Sequence, residues 1–194
     1  MPLPADGVTR QRRFVVVSGL PGSGKTTVAR ALAPLMNLPV IDKDEILERL
    51  FEARGIGDAA WRRQLSREAD DVMHDEVFAS DGAIVSSFWH VPGMALDSGT
   101  PTDWLVSLSS TIVNVHCECP PSVAADRFVR RARHAGHLDG TRSAADMLAS
   151  IEALAALDSL TIGERVVVDT TQPVDTEALF QNVATAFGRR SCSS

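Results

Sequence analysis

Short apolar segments alternate with longer amphipathic segments along most of the chain. Five segments are short and rich in valine and isoleucine, and we predict strands at residues 14–18, 39–41, 83–86, 111–117 and 165–169. Six longer segments have helical patterning, and we predict helices at residues 25–36, 44–54, 60–80, 120–133, 143–157 and 175–187. Strands that are apolar on both faces and alternate with helices predict a parallel sheet covered on both sides. The expected fold is therefore an α/β sandwich with five strands, whose ligand lies at the carboxyl ends of the strands.

Length and composition place the chain among ordinary globular proteins. It has 194 residues, of which 44% are hydrophobic and 23% charged, and this length suits one domain with a sizeable core. We expect a disordered leader over residues 1–13, the domain over residues 14–188 and a flexible tail over residues 189–194. No apolar stretch approaches the ~18 residues of a membrane span, and the leader lacks the apolar region of a signal peptide. The sequence therefore predicts a cytoplasmic protein with no membrane partner.

Charge and cysteine usage exclude further classes of function. The formal net charge is −6, so no broad field attracts a nucleic-acid backbone and such a partner would need a local basic patch. The 3 cysteines have no CxxC spacing, which argues against a disulfide framework and against a structural zinc site. His134 and His137 lack partners at ligand spacing, so we expect them in a mobile, glycine-containing loop rather than at a metal.

The segment GLPGSGKT, from Gly19 to Thr26, matches the phosphate-loop pattern GxxxxGK[ST] between a predicted strand and a predicted helix. The alternative is a glycine-rich turn that only caps the helix. The context favours a loop whose backbone N–H groups bind phosphates at the positive end of the helix. Lys25 would follow the β- and γ-phosphates, and the Thr26 hydroxyl would bind Mg²⁺. The residues predicted to bind nucleotide here are Gly19, Leu20, Pro21, Gly22, Ser23, Gly24, Lys25, Thr26 and Thr27.

The acidic segment DKDE follows the second predicted strand. Asp42 and Glu45 have the spacing of a capping box, and acids in a first turn suit the helix dipole. Asp44 fits the dipole too, but its place beside the phosphate loop favours a catalytic base that takes a proton from an acceptor hydroxyl. We therefore predict Asp44 as the base, with Asp42 and Asp44 both in contact with the acceptor.

The phosphate loop, DKDEI and the later segment VHCECPPSVAADRFVRRARHAGH together resemble the small P-loop kinases. The chain looks most like the "predicted kinase" group of AAA-family ATPases, which is similar to chloramphenicol phosphotransferase, zeta toxins and the kinase domain of polynucleotide kinase. The resemblance extends over about residues 14–187. It implies a P-loop three-layer sandwich with strand order 2-3-1-4-5, and phosphoryl transfer from ATP or GTP to a hydroxyl with Mg²⁺ as cofactor.

The same resemblance implies an arginine-bearing lid over about residues 127–142. Arg127, Arg130 and Arg131 lie at i, i+3 and i+4 of a predicted helix, so we expect them to share a face and converge on the transferred phosphate. The alternative is a solvated basic face. Thr171 lies in a segment that resembles the one flanking the nucleotide base in such kinases. The chain departs from these kinases in AIVSSFW, where the third strand has no terminal aspartate, so Asp42, Asp44 or water must replace that acid at the magnesium.

The long loop from Ser87 to Trp104 is the predicted source of acceptor recognition, because long loops in compact domains are often functional. Phe88, Trp89 and His90 directly follow the third strand and are the predicted acceptor contacts. The alternative is an apolar patch against the core or a partner subunit.

The predicted function is a Mg²⁺-dependent kinase for a small molecule, in a monomer or a homodimer. An antibiotic or nucleoside-like acceptor, and hence resistance by phosphorylation, rests on analogy with chloramphenicol phosphotransferase. The alternatives are a polynucleotide 5′-hydroxyl kinase, disfavoured by the acidic charge, and a nucleotide-dependent switch ATPase.

Overall fold

Five parallel strands form one sheet in the computed structural model, which describes residues 12–108, 111–138, 143–157 and 159–191. Their order is β2-β3-β1-β4-β5, and every neighbouring pair is parallel. This confirms the predicted sheet and its order. The strands are β1 (Arg13–Gly19), β2 (Val40–Asp42), β3 (Gly82–Ser86), β4 (Thr111–Glu118) and β5 (Glu164–Asp169).

Helices cover both faces of the sheet, as a continuous apolar run in β1 requires. The helices are α1 (Lys25–Met36), α2 (Lys43–Arg54), α3 (Ala59–Ala79), α4 (Asp103–Val106), α5 (Pro121–Arg130), α6 (Ala144–Ala155) and α7 (Thr176–Ser191). Along β1, Val15 and Val17 pack into a cluster with α1 and α7, whereas Phe14 and Val16 pack into a cluster with α2 and α3. None of the helices in the described ranges is long and apolar enough to cross a membrane.

Local signals set the ends of the helices nearest the phosphate loop. Helix α1 begins after Gly24, which has φ +86°, and ends at Asn37 in the left-handed conformation that asparagine tolerates. Helix α2 begins at the carboxylate of Asp42, which accepts a hydrogen bond from Asp44 N, as an N-cap does. Both loops therefore open directly onto helix N-termini at the carboxyl edge of the sheet.

Two predicted helix ends differ from the structure by at least three residues. Helix α5 ends at Arg130 instead of residue 133, because Arg131 has ψ 124° and leaves the helical conformation. Helix α7 continues to Ser191, so residues 189–191 are helical rather than part of a tail. The predicted leader up to residue 11, residues 139–142 of the predicted lid and residues 192–194 lie outside the described residues.

The long connection between β3 and α4 is a folded loop with its own hydrogen bonds. Trp89 and Thr100 form a bridge, since Thr100 N donates to Phe88 O at 2.7 Å and His90 N donates to Thr100 O at 2.8 Å. The hydroxyls of Ser87 and Thr100 are 2.6 Å apart and hydrogen bonded. These contacts join the start of the loop, which directly follows β3, to Thr100 near its end.

Candidate active site

The phosphate loop joins β1 to α1, and its glycines determine its shape. Gly22 has φ +81°, and a Cβ atom there would lie 2.1 Å from Ala124 O on α5, so only glycine fits. The neighbouring Ser23 N donates to Leu20 O at 3.1 Å, which closes the turn. Because α1 starts immediately after the loop, the unpaired N–H groups and positive dipole end of α1 face the loop and favour a bound phosphate.

Lys25 and Thr26 extend from the first turn of α1 toward different partners. Lys25 Nζ donates to Gly19 O at 3.0 Å and to Leu20 O at 2.8 Å. Burial lowers the pKa of Lys25, and the nearby Asp44 and Asp42 carboxylates partly offset that effect. Thr26 Oγ1 donates to Asp42 Oδ2 at 2.9 Å. The loop lysine and the loop hydroxyl thus both lie close to the acidic segment.

Asp42 combines two structural contacts in one carboxylate. Its Oδ1 accepts from Asp44 N at 2.9 Å, while its Oδ2 accepts from Thr26. Burial and the nearby Asp44 carboxylate raise the pKa of Asp42 above its usual value. Glu45, the other member of the predicted capping box, pairs with Arg30 on α1. Asp42 is therefore the N-cap, and it is also the acid that contacts the Thr26 hydroxyl.

Asp44 pairs with two arginines that follow α5. Its Oδ2 accepts from Arg133 at 2.7 Å and from Arg131 at 3.2 Å. Burial alone would raise the pKa of Asp44, but the charges of Arg133 and then Arg131 hold that pKa below its usual value. The carboxylate is therefore ionised and surrounded by cations.

The three predicted lid arginines line the cavity that contains the phosphate loop, but they have different partners. Arg127 donates to Thr171 O at 3.1 Å, and Arg130 forms an i,i+4 ion pair with Asp126 at the surface. Of the three, Arg131 alone pairs with Asp44, and it is the first residue after α5. Their convergence on a transferred phosphate stays a prediction.

Arg133 is oriented by a chain of hydrogen bonds that reaches α2. His137 Nδ1 accepts from Arg133 at 3.1 Å, so the ring proton lies on Nε2, which donates to Glu48 Oε1 at 3.0 Å. Phe51 stacks on His134 and meets His137 edge-on. Only 1% of the His137 side chain is exposed. The expectation of a mobile loop around these histidines was wrong, because both rings pack against α2.

The three predicted acceptor contacts have different surroundings. Trp89 is 4% exposed, belongs to the core cluster beneath α3, and donates from its indole to Val17 O at 2.8 Å. The His90 ring is hydrogen bonded to Ser98 O at 2.7 Å. Phe88 lines the cavity that contains Asp44. Of the three, Phe88 has the position best suited to touch a bound molecule there.

Thr171 lies in the loop after β5, next to the phosphate loop. Its N–H is bonded to Asp169 Oδ1 at 2.8 Å, and its carbonyl accepts from Arg127. The preceding Thr170 donates to Ser23 O at 2.8 Å. The segment after β5 is therefore hydrogen bonded to the phosphate loop, at a place where a bound nucleotide base would require a neighbouring protein surface.

One cavity of about 1070 Å³ brings most of these side chains together. It is lined by the phosphate-loop residues other than Gly19, Leu20 and Ser23, by both aspartates of the acidic segment, by the start of the long loop and by the arginines of the lid. Arg62, on α3, also lines it, and the buried Nε of Arg62 has no hydrogen-bond partner among the residues that the structure describes. The residues that line the cavity include Pro21, Gly22, Gly24, Lys25, Thr26, Thr27, Asp42, Asp44, Arg62, Phe88, Arg127, Arg130, Arg131 and Arg133.

Sequence reasoning missed Arg133 and Arg62. No local sequence pattern indicated a role for Arg133, because the direction of its side chain depends on where α5 ends. Arg62 could have been identified from its spacing. It lies three positions before Leu65 and seven before Ala69, which are both buried, so it occupies a core-facing position of α3. A charged residue at such a position is a candidate for a binding site.

Parts of this chain are similar in sequence to other proteins. A shikimate kinase of Corynebacterium glutamicum is 51% identical over 72 residues, which are 37% of this chain and 43% of that protein. An uncharacterized protein of Mycobacterium tuberculosis is 28% identical over 155 residues, which are 73% of this chain and 30% of that protein. The matches thus span less than half the length of these relatives.

Solved structures and a family model give longer matches. A proposed kinase from Chloroflexus aurantiacus superposes with a TM-score of 0.78 at 29% identity, over 91% of this chain and 99% of that chain. A shikimate kinase from Bacteroides thetaiotaomicron shares the fold, with a TM-score of 0.56 at 22% identity over 91% of this chain and 98% of that one. The family model described as AAA domain matches residues 15–148. Since that match covers more than half of the chain, the protein belongs to the AAA domain family and has the fold of small P-loop kinases.

Proposed function

We propose that the protein transfers the γ-phosphoryl group of ATP or GTP to a hydroxyl group of a small molecule. The observation that carries this proposal is that one cavity holds the phosphate-loop residues Lys25 and Thr26 together with Asp42 and Asp44. A phosphate cradle and a carboxylate on one wall supply the two things that phosphoryl transfer needs, which are positioning and charge neutralisation. The likeness to shikimate kinases and to a proposed kinase supports the same reaction class.

In the proposed reaction, Asp44 accepts the proton of the acceptor hydroxyl while the acceptor oxygen bonds to the γ-phosphorus. The bond from that phosphorus to the bridging oxygen breaks, and the nucleoside diphosphate leaves with its electrons. Lys25, Arg131 and Arg133 neutralise the charge of the transferred group. The arginines that pair with Asp44 line the same cavity as the phosphate-loop residues, so contact with phosphate would draw them from the carboxylate.

That exchange of partners would also change the pKa of Asp44. Burial acts to raise the pKa of Asp44, and the arginines counteract it. When phosphate takes over the arginines, the effect of burial remains and the carboxylate becomes a better proton acceptor.

Thr26 and Asp42 are the residues that would hold Mg²⁺ in this proposal. A hydroxyl and a buried carboxylate that are already in contact are hard oxygen donors, which suit this cation, and β3 ends at Ser86 without an acid. When bound, Mg²⁺ would supply charge neutralisation at the phosphates. Asp42 thus takes the place of the missing third-strand acid, and a direct contact between Asp42 and the acceptor is no longer needed.

The acceptor is proposed to be a small molecule. The unpartnered Nε of Arg62 favours a polar or anionic group on the acceptor, and Phe88 provides an apolar surface. An antibiotic or nucleoside-like acceptor fits such a mixed lining, whereas resistance as a biological role rests on the sequence resemblance alone.

The test compares Asp44→Asn with Asp42→Asn at several magnesium concentrations. Binding of ATP is measured by calorimetry, and transfer from γ-labelled ATP is measured by single turnover on a panel containing shikimate, gluconate and aryl alcohols. Asp44→Asn should keep ATP binding but lose transfer by roughly 10²- to 10⁴-fold, as loss of a general base does. Asp42→Asn should instead raise the magnesium requirement.

Three results would contradict the proposal. If both variants transfer normally, the assigned base and metal residues are wrong. If Asp44→Asn mainly raises the magnesium requirement, Asp44 belongs to the metal site. ATP hydrolysis that no acceptor diverts, but that a protein partner stimulates, would indicate a switch ATPase instead.

A further inference from the structure

A second cavity of about 600 Å³ lies beside the active-site cavity. Its floor is formed by the carboxyl ends of β1 and β4, including Ser18 and His116, and its walls include Trp89 and Leu160. The volume is within the range of ~300–1,000 Å³ that small-molecule sites occupy. Of the predicted nucleotide-binding residues, Gly19, Leu20 and Thr171 line this cavity. The proposed reaction assigns no role to its other polar residues, which include Ser18 and His116.

The two cavities share one wall. Phe88, Met94, Leu154 and Leu157 line both of them. All four side chains are apolar, and they come from the long loop and from the C-terminal part of α6 with the residues after it. A molecule whose hydroxyl lies at Asp44 can therefore extend along this wall into the second cavity without leaving apolar surface.

A directional chain of hydrogen bonds runs through the floor of the second cavity. Asn114 Nδ2 donates to Leu160 O at 3.1 Å, which fixes Asn114 Oδ1 as the acceptor toward Ser18. Ser18 Oγ gives its single hydrogen to that oxygen at 2.7 Å. Since His116 Nδ1 is 2.9 Å from the same Oγ, the ring must be the donor in that contact.

The direction of these hydrogen bonds determines which hydrogen-bonding group of His116 is available to a ligand. A neutral ring that carries its proton on Nδ1 keeps a lone pair on Nε2. Burial, and then the charge of Arg165, lower the pKa of His116 and favour the neutral ring. No other hydrogen bond of His116 is found among the described residues. The floor of an otherwise largely apolar cavity therefore presents a hydrogen-bond acceptor.

We infer that the second cavity is the part of the acceptor site that holds an apolar, ring-sized group carrying an O–H or N–H donor, which donates to His116 Nε2. This inference rests on the proposed function, and it narrows the acceptor to amphiphilic alcohols: a hydroxyl at Asp44, an apolar body along the shared wall, and a donor at the far end. Small polyhydroxy acids would leave the cavity unfilled and would be the poorer acceptors.

The first experiment measures binding and needs no catalysis. The indole N–H signal of Trp89, which lines the cavity, is assigned in ¹⁵N-labelled protein with Trp89→Phe and followed during titration with 4-ethylphenol and 4-ethylanisole. These probes share an apolar body, and only the phenol has a donor. Wild-type protein should bind the phenol about two- to tenfold more tightly, the ratio expected for one neutral hydrogen bond. His116→Phe should bind both probes alike.

A second variant and a stability measurement control for disturbance of the fold. His116→Asn retains polarity and a small side chain if phenylalanine disturbs the floor, and thermal melts check that each variant is folded. No perturbation of Trp89 by either probe, or an unchanged preference for the phenol in both variants, would overturn the inference.

A second experiment links the cavity to the reaction. ATP-dependent phosphorylation of 4-(2-hydroxyethyl)phenol is compared with that of gluconate and shikimate. The aryl alcohol should be the better acceptor, and His116→Phe should raise its KM about two- to tenfold with kcat within about twofold. Transfer to the polyhydroxy acids alone would refute this inference and leave the kinase proposal standing. Transfer to no acceptor, together with specific binding of the phenol, would contradict the kinase proposal and the subsite assignment but not the ligand chemistry of the cavity.

Discussion

Replacing His137 with phenylalanine is the perturbation that tests most directly how the lid is held on α2. The substitution keeps an aromatic ring against Phe51 and removes both ring nitrogens. It therefore deletes the bond from Arg133 at 3.1 Å and the bond to Glu48 at 3.0 Å. Arg133 keeps its pairing with Asp44, so the change should loosen the segment without unfolding the domain.

The expected cost follows from the surroundings of the two bonds. A hydrogen bond to a charged group contributes ~1.5–3 kcal/mol to the free energy of unfolding. Arg133 is 12% exposed and Glu48 is 38% exposed, so the bond to Glu48 is the more screened of the two. We expect a total loss of about 2–3 kcal/mol, which for a protein of this size lowers Tm by roughly 4–12 °C. Glu48→Gln is the matched control, since its amide oxygen still accepts from Nε2, and should cost about 1 kcal/mol or less.

The pH dependence gives a second, independent check. Burial, and then the charge of Arg133, lower the pKa of His137, so the unfolded chain binds a proton to this histidine more readily than the folded chain does. The stability contributed by the neutral ring is complete above the unfolded pKa of ~6.5 and is lost as the pH falls from there through the lowered folded pKa. His137→Phe should lack this component, while His116, whose pKa is also lowered, titrates in both proteins.

Urea unfolding at pH values from 8 to 5 measures both effects. The difference in free energy of unfolding between wild type and His137→Phe should be largest at pH 8 and shrink toward pH 5. A difference below about 0.5 kcal/mol at pH 8, which is the size of an ordinary surface change, would refute the role given to this histidine. A difference that stays constant over the whole range would refute the assigned protonation state.

Further predictions concern the phosphate loop, the core and the cysteines. Lys25→Met should abolish measurable ATP binding by calorimetry while the thermal melt stays within a few degrees, and normal turnover in this variant would contradict the phosphate-loop assignment. Trp89→Ala should lower the free energy of unfolding by about 3–5 kcal/mol, because the buried indole also donates to a main-chain carbonyl; full stability in this variant would contradict the structural role given to the indole. In a Cys192→Ser background, Cys119 should react with a thiol reagent and be protected by 4-ethylphenol, since it lines the second cavity, whereas burial raises the pKa of Cys117 to about 12 and should leave it unreactive. Mass spectrometry of the labelled protein distinguishes the two thiols, and rapid labelling of Cys117 would show that this part of the core opens readily.

The fold could be predicted from the sequence because its determinants are local and repeated. Each strand is a short apolar run, and each helix begins at a residue with a recognisable signal, such as Gly24 before α1 or Asp42 before α2. The phosphate loop is local in the same sense, since glycines with positive φ and the following helix lie within eight residues. Strand order, in contrast, came from the resemblance to small P-loop kinases, because periodicity alone does not tell which strands are neighbours.

The candidate site was less predictable wherever it depends on contacts between distant segments. Asp42 was expected to act as a cap, which the structure confirms, but its contact with Thr26 depends on β2 pairing with β3, which in turn pairs with β1. Trp89 is a second case, because an aromatic residue after a strand can pack into the core as well as line a ligand cavity, and Trp89 does both in the structure. Its burial follows from the bond to Val17 O and from packing beneath α3, and neither contact has a signal in the local sequence.

The arginines after β4 show why charge spacing alone could not identify the group that pairs with Asp44. The i, i+3, i+4 rule applies only while the chain remains helical, and here the helix ends at Arg130. From that point the direction of each side chain is set by what the following residues bind, and His137 binds α2 through Glu48. Arg133 is therefore held beside Asp44 by a histidine four positions further along the chain, in a segment with no regular periodicity. A residue can thus be essential to the electrostatics of a site while its position depends on a contact that lies outside both the helix and the acidic segment.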